Sequence, residues 1–180
     1  MLEIEVPDQE FFDDGKQVFI KVKGAKLQLE HSLISISKWE SKFHKPFLGK
    51  EEKTDEETLA YVKDMIINKN VDDSIINAFT VQDFSKINEY IKDSMTATTF
   101  YEPPAQPGRS ETITSELIYY WMVAQNIPME CQKWHLNRLL TLIRVCSIKN
   151  APPKKRNRQS LAAQRMALNA QRRKELGTSG

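Results

Sequence analysis

The 180-residue chain holds only two cysteines, six glycines and three histidines, and each scarcity removes a class of reading. Cys131 and Cys146 stand fifteen positions apart on what reads as one helix. That spacing is about 22 Å at 1.5 Å per residue, beyond disulfide reach, so both thiols are expected reduced. The glycines are scattered, and none falls in a phosphate-cradling spacing, which disfavours nucleotide hydrolases and dinucleotide-binding enzymes. No apolar run of membrane-spanning length occurs, because Lys133, Arg138 and Arg144 interrupt the most apolar stretch. Met1 is followed by Glu3, Glu5 and Pro7 instead of a basic and then apolar leader, so no signal peptide is read and a soluble, intracellular protein is expected. No aromatic residue follows Trp134, which leaves the C-terminal segment without a stacking platform for single-stranded nucleic acid.

What is present is divided by charge. Residues 151–180 carry eight Lys or Arg against one acid, a net +7, so the first 150 residues carry −5 within a total of +2. An acidic body with a basic arm implies that the two parts meet different surfaces.

Period-two alternation predicts strands at Leu2–Val6, Val18–Val22 and Lys26–Glu30, with a turn at Asp13-Asp14-Gly15, and hence a small antiparallel sheet. Lys21, Lys23 and Lys26 would keep its edge from pairing with other chains. The period then turns helical. Leu33, Ile36, Trp39 and Phe43 predict a helix that starts near His31 or Ser32 and stops at Lys45-Pro46. Thr54-Asp55-Glu56-Glu57 is a capping box for a second helix, 72–79 reads as a short helix or turn, and Thr80-Val81-Gln82-Asp83 caps a third. Residues 96–110, with Pro103, Pro104, Pro107 and Gly108, predict a long exposed loop.

A helix entered near Thr112 or Thr114 follows, and a tight turn at Asn126 and Pro128 leads into the central helix, Ile127 to Ile148. These two are expected to pack as an antiparallel hairpin. Pro152-Pro153 stops the body. Ser160–Leu176, rich in Ala, Gln and Arg, predicts a further helix with a thin apolar face, and 177–180 are expected to be disordered. The fold class that results is α+β. A single domain spans 1–150, with a β-hairpin sheet over 1–30 and a helical body over 31–150, and a basic helical or partly disordered arm spans 151–180.

Candidate chemistry is sparse. Cys131 and His135, four apart, would share a helical face as two zinc ligands can, but only His31, His44 and Cys146 remain to complete a site, none at a paired spacing. As nucleophile and base the same pair lacks a third residue to orient the imidazole. A buried thiol and a hydrogen-bonded imidazole beside Trp134 is preferred, with no catalytic, cofactor or metal residue. The acidic pairs fall at turns and helix starts, where carboxylates complement the helix dipole. Tyr119 and Tyr120 point in different directions around a helix, so at least one reaches the surface and is a candidate binding anchor. Lys154, Lys155, Arg156 and Arg158 could neutralise phosphates. A solvated or protein-docking arm is preferred.

The blocks LEHSLISISKWESKFHKPFL, DSMTATTF, ITSELIYYWMVAQNIP and CQKWHLNRLLTLIRVCSIKN, with the ending ALNAQRR, cover most of the chain. In that order they resemble the tail assembly chaperones of long-tailed bacteriophages and prophages of Gram-positive bacteria. The resemblance implies a non-enzymatic protein of the host bacterial cytoplasm. Such a protein coats the tape measure protein, associates with itself, and needs neither cofactor nor membrane. The arm would then pair with a client helix through Leu161, Met166 and Leu168, and Arg165, Arg172 and Arg173 complete the candidate partner-binding set. The alternative is a nucleic-acid-binding or virion structural protein whose arm contacts phosphates.

Overall fold

The computed structural model describes residues 1–13, 15, 17–100, 112–152 and 158–177. The architecture is α+β. The chain divides into two units, Met1–Ile148 and Lys149–Gly180.

The first unit opens with four strands, β1 Leu2–Val6, β2 Gln9–Asp13, β3 Val18–Val22 and β4 Ala25–Leu29. β1 pairs with β4 and β2 with β3, both antiparallel, and one register runs from Leu2 opposite Leu29 to Asp13 opposite Val18. The four strands are therefore one long hairpin interrupted at its middle. Pro7 has no N–H to give the ladder there. Across from it, a Cβ on Gly24 would lie 2.5 Å from the Val6 carbonyl oxygen, and the Gly24 N–H instead donates to Asp8 Oδ1 at 2.6 Å. β2 was not foreseen, because Phe11 and Phe12 carry no alternation with their neighbours. Of the expected turn, Asp14 lies outside the described residues. The alternation in β1 and β4 is as expected: Ile4, Val6, Leu27 and Leu29 are buried, and Glu3 and Lys26 form an ion pair at 2.7 Å on the other face.

Six helices follow. α1 Leu33–Phe43 starts at Ser32, whose hydroxyl accepts from the Ser35 N–H while the Ser35 hydroxyl accepts from the Ser32 N–H. It ends at His44 in the left-handed conformation, φ 53°. α2 Asp55–Met65 carries the Thr54–Glu57 capping box, with Asp55, Glu56 and Glu57 in its first turn. A 3-10 helix, Asp73–Ala78, is capped by Asp72, and α3 Val81–Lys92 by the Thr80–Asp83 box. Of the expected loop over 96–110, residues 101–110 lie outside the described residues, as does Glu111. α4 Ser115–Ala124 starts at the Thr114 cap.

The single central helix does not form. Met129–Lys133 is a 3-10 helix, Trp134 is extended (φ −73°, ψ 163°), and α5 covers Leu136–Asn150. The helix is broken by tertiary pairing: Ser32 and His135 form an antiparallel bridge, and the Leu136 N–H donates to the His31 carbonyl at 2.7 Å. Nor do α4 and α5 make a hairpin about a tight turn. Gln125 Nε2, just past the end of α4, donates to Ser147 Oγ in the last turns of α5 at 2.8 Å, so the C-terminal ends of the two helices meet. The connecting 3-10 segment runs back to the start of α5, and Tyr119 Oη reaches Gln132 Oε1 on the way.

The core is closed by Leu27, Leu29, Leu33, Ile36, Trp39 and Met65 from the first half and by Ile118, Met122, Leu136 and Leu139 from the second, all at most 1% exposed. α1 packs on both α2 and α4 and so lies at its centre. The second unit contains α6, Arg158–Leu176, ended by Gly177 in the left-handed region at φ 63°. That conformation favours glycine after a helix. Residues 178–180 lie outside the described residues. Among the described residues, no helix is long and apolar enough to cross a membrane.

Candidate functional site

The break before α5 places His135 beside His31, with ring centroids 5.1 Å apart and the two side chains 5% and 3% exposed. His135 Nε2 lies 2.9 Å from the Tyr90 carbonyl oxygen, and its Nδ1 lies 3.3 Å from the Asn137 N–H. A carbonyl only accepts and an N–H only donates, so these partners select the imidazole protonated at Nε2. His31 Nδ1 is hydrogen-bonded to the Tyr61 hydroxyl, which also faces Ser35 Oγ at 3.4 Å. Tyr90 Oη donates to Glu30 Oε1 at 2.7 Å.

Burial, with His135 as a smaller second cause, pushes the His31 imidazole down to about 4, so it is neutral near pH 7. Burial also pushes both phenols above their ordinary range, with Glu30 adding to the effect at Tyr90. The cluster thus joins the β4–α1 junction, α2, α3 and the start of α5 through buried, hydrogen-bonded polar groups. Such a network fixes a core arrangement. Nothing local in the sequence announces it, since Tyr61 is thirty residues from His31 and Tyr90 forty-five from His135.

Beside this cluster, and sharing Glu30 and Ser35 with it, a cleft of about 320 Å³ is lined by Glu30, Ser32, Ser35, Lys38, Asp64 and Lys133 among others. Ser35 Oγ donates to the Ser32 carbonyl at 2.8 Å, so the hydroxyl on its floor belongs to the start of α1. Asp64 Oδ1 is paired with Lys42 Nζ at 2.6 Å. Cys131 and His135 do not share a helical face. Cys131 sits in the 3-10 helix, His135 in the extended link, and both are buried. Trp134 is half-buried under Arg138, whose guanidinium carbon lies 4.4 Å from the ring centroid. Among the described residues, no three His, Cys, Asp or Glu side chains gather as a metal site would require.

The candidate binding residues separate into two places. On α4, Tyr119 is half-buried with its hydroxyl donated to Gln132, while Tyr120 is 65% exposed. Val123, one turn further and not foreseen, is also 65% exposed. In the second unit, Arg165, Met166, Leu168, Arg172 and Arg173 are all exposed on α6. Met166 is displaced from Leu168 by about 160° around the axis at 100° per residue, so the two do not serve one face. Arg158 and Leu161 belong to the same helix, with side chains outside the described residues, and Lys154, Lys155 and Arg156 lie outside the described residues altogether. Comparison with protein-family models, with curated proteins and with solved structures finds no match to this chain.

Proposed function

We propose that this protein is a tail assembly chaperone of a long-tailed bacteriophage or prophage of Gram-positive bacteria. In this reading it is a non-enzymatic protein of the host cytoplasm that binds the tape measure protein and further copies of itself. The observation that carries the reading is the second unit: a 19-residue helix whose described side chains are all exposed, Met166 at 75%, Leu168 at 51% and Leu176 at 74% among them. Apolar side chains presented on a basic helix suit the capture of another helix. A long, helical, apolar client such as a tape measure needs that service before the tail tube forms around it. The order of the sequence blocks supports the same reading, and Tyr120 with Val123 on α4 supplies a second apolar contact on the body.

The test is co-expression of the full-length protein with overlapping fragments of the tape measure protein encoded beside it. Retention of at least one fragment at micromolar concentration is expected, and Met166→Glu should weaken it. No retention of any fragment overturns the reading.

The net +7 of the arm favours one second reading, a nucleic-acid-binding or virion structural protein. It requires retention on heparin or DNA that falls steeply with salt. If replacing Lys154, Lys155, Arg156 and Arg158 with Ala leaves such retention unchanged, the arm is not its cause.

A further inference from the structure

Arg165, Leu168, Arg172 and Leu176 recur on α6 at steps of three and four and line one stripe of the helix. All four are exposed, and neither arginine has an ion-pair partner among the described residues. Leucines interleaved with guanidinium groups match a surface that offers both apolar contact and carboxylates. A phosphate backbone offers only the charge. A bilayer is served by a stripe with its cations at the flanks, whereas these arginines stand between the leucines.

The matching surface is on the body of the same chain, whose residues 1–150 carry −5 against the +7 of residues 151–180. α2 turns Asp55, Glu56 and a 38% exposed Leu59 to solvent, with Glu51 and Glu52 exposed just before it. Asp55 and Glu56 precede Leu59 by four and three residues and so flank it on the helix surface. None of the four acids forms an ion pair among the described residues, unlike neighbouring Glu57, which holds Lys45 at 2.6 Å.

We propose that the Arg165–Leu176 stripe of one copy docks on this acidic, leucine-bearing face of α2 in a second copy. The contact is heterologous: the patch that gives differs from the patch that receives, so a rotation that does not close propagates an open assembly. It deepens the chaperone reading, on which it rests only for self-association. The Met166 side of α6 is left for the client.

The test compares full-length wild type, E51K/E52K and R165E/R172E by sedimentation velocity. Glu51 and Glu52 lie before the Thr54 cap, so their reversal leaves the α2 capping box in place. Wild type is expected to associate at low salt, and to lose at least tenfold in association at about 0.5 M salt, where screening reaches within about 4 Å. Each variant alone is expected to sediment as a single chain. An equimolar mixture of the two is expected to re-associate, because each reversed surface then meets its opposite. Thermal melts within a few degrees of wild type show that the variants fold, and E51Q/E52Q, which only removes charge, is expected to give an intermediate loss.

A monomeric wild type, a variant that associates as wild type does, or a mixture that stays dissociated overturns the proposal. So does wild-type association that nuclease treatment abolishes. Capture of a tape measure fragment is scored separately on the same proteins. Capture without the charge-swap rescue leaves the chaperone reading standing and removes this contact; rescue without capture does the reverse.

Discussion

Glu40 Oε2 accepts the Ser115 N–H, the first amide of α4, at 2.8 Å, while its Oε1 accepts the Phe47 N–H at 2.7 Å. A carboxylate only 8% exposed thus ties the turn after α1 to the start of a helix seventy-five residues away. The first amides of a helix have no partner within it, and the carboxylate supplies one. Glu40→Ala leaves two buried N–H groups without an acceptor and is expected to cost about 3 kcal/mol, since losing a buried partner costs about 1–3 kcal/mol per group. For a chain of this size that lowers Tm by about 6–12 °C. Glu40→Gln, which keeps one acceptor, should lose less. A thermal melt of Glu40→Ala within a degree of wild type would show that the bridge does not hold α4.

Ser115 itself gives a prediction of opposite sign. Its residue is 1% exposed, and its Oγ makes no hydrogen bond of good geometry, only a weak approach to the Glu116 carboxylate. A buried hydroxyl without a well-formed bond is desolvated for little return, so Ser115→Ala is expected to be neutral or to stabilise by up to about 1 kcal/mol. Urea denaturation at pH 7 reads the difference. A loss above about 1 kcal/mol would mean that the hydroxyl is bonded in solution.

His31 makes stability depend on pH. Its folded value of about 4 lies below its ordinary 6.5, so between these two the unfolded chain binds a proton that the folded chain refuses. Stability therefore rises with pH across this window: the contribution is fully present above about pH 6.5 and is lost as pH falls toward 4, to a total of about 3 kcal/mol. Carboxylates that titrate nearby act equally in a His31→Asn variant, whose amide oxygen can still accept from Tyr61. The difference between wild type and variant in urea stability, measured at pH 7 and at pH 4, isolates the imidazole. Parallel curves would mean that burial does not suppress its protonation.

How much of this was legible in the sequence follows from the range of each signal. Thr54 and Thr80 announce their helices, and Ser32 and Thr114 stand as one of two candidates each, because a capping side chain bonds an amide three residues on. The strands with strict alternation are legible for the same local reason. The break at Trp134 and His135 is not, since every residue from Met129 to Val145 is acceptable in a helix. What wins there is the pairing of His135 with Ser32 and of Leu136 with His31, contacts that span more than a hundred residues. The cluster of His31, Tyr61, Tyr90 and His135 is hidden likewise. At the surface, the exposure of one tyrosine in the Tyr119-Tyr120 pair follows from helix geometry, but which one does not. Gln132, which takes the hydroxyl of Tyr119, decides it.

Gly24 tests the interruption in the hairpin. A methyl group there would meet the Val6 carbonyl oxygen at 2.5 Å, the Asp8 nitrogen at 2.7 Å and the Pro7 carbonyl carbon at 2.7 Å, all of them backbone atoms that cannot swing aside. Relief requires the two strands to part where Pro7 already withholds a ladder hydrogen bond and where the Asp8 side chain holds the Gly24 N–H. Gly24→Ala is therefore expected to destabilise by about 1–3 kcal/mol, the usual range for forced overpacking. Its effect should be larger on the β1–β4 half than on the helices, because Val6 and Ala25, the last pair of that ladder, adjoin the clash. Amide exchange reads this directly: protection at β1 and β4 falls in the variant while that of α5 holds. Protection unchanged at both would mean that the two halves of the hairpin already part freely at this point.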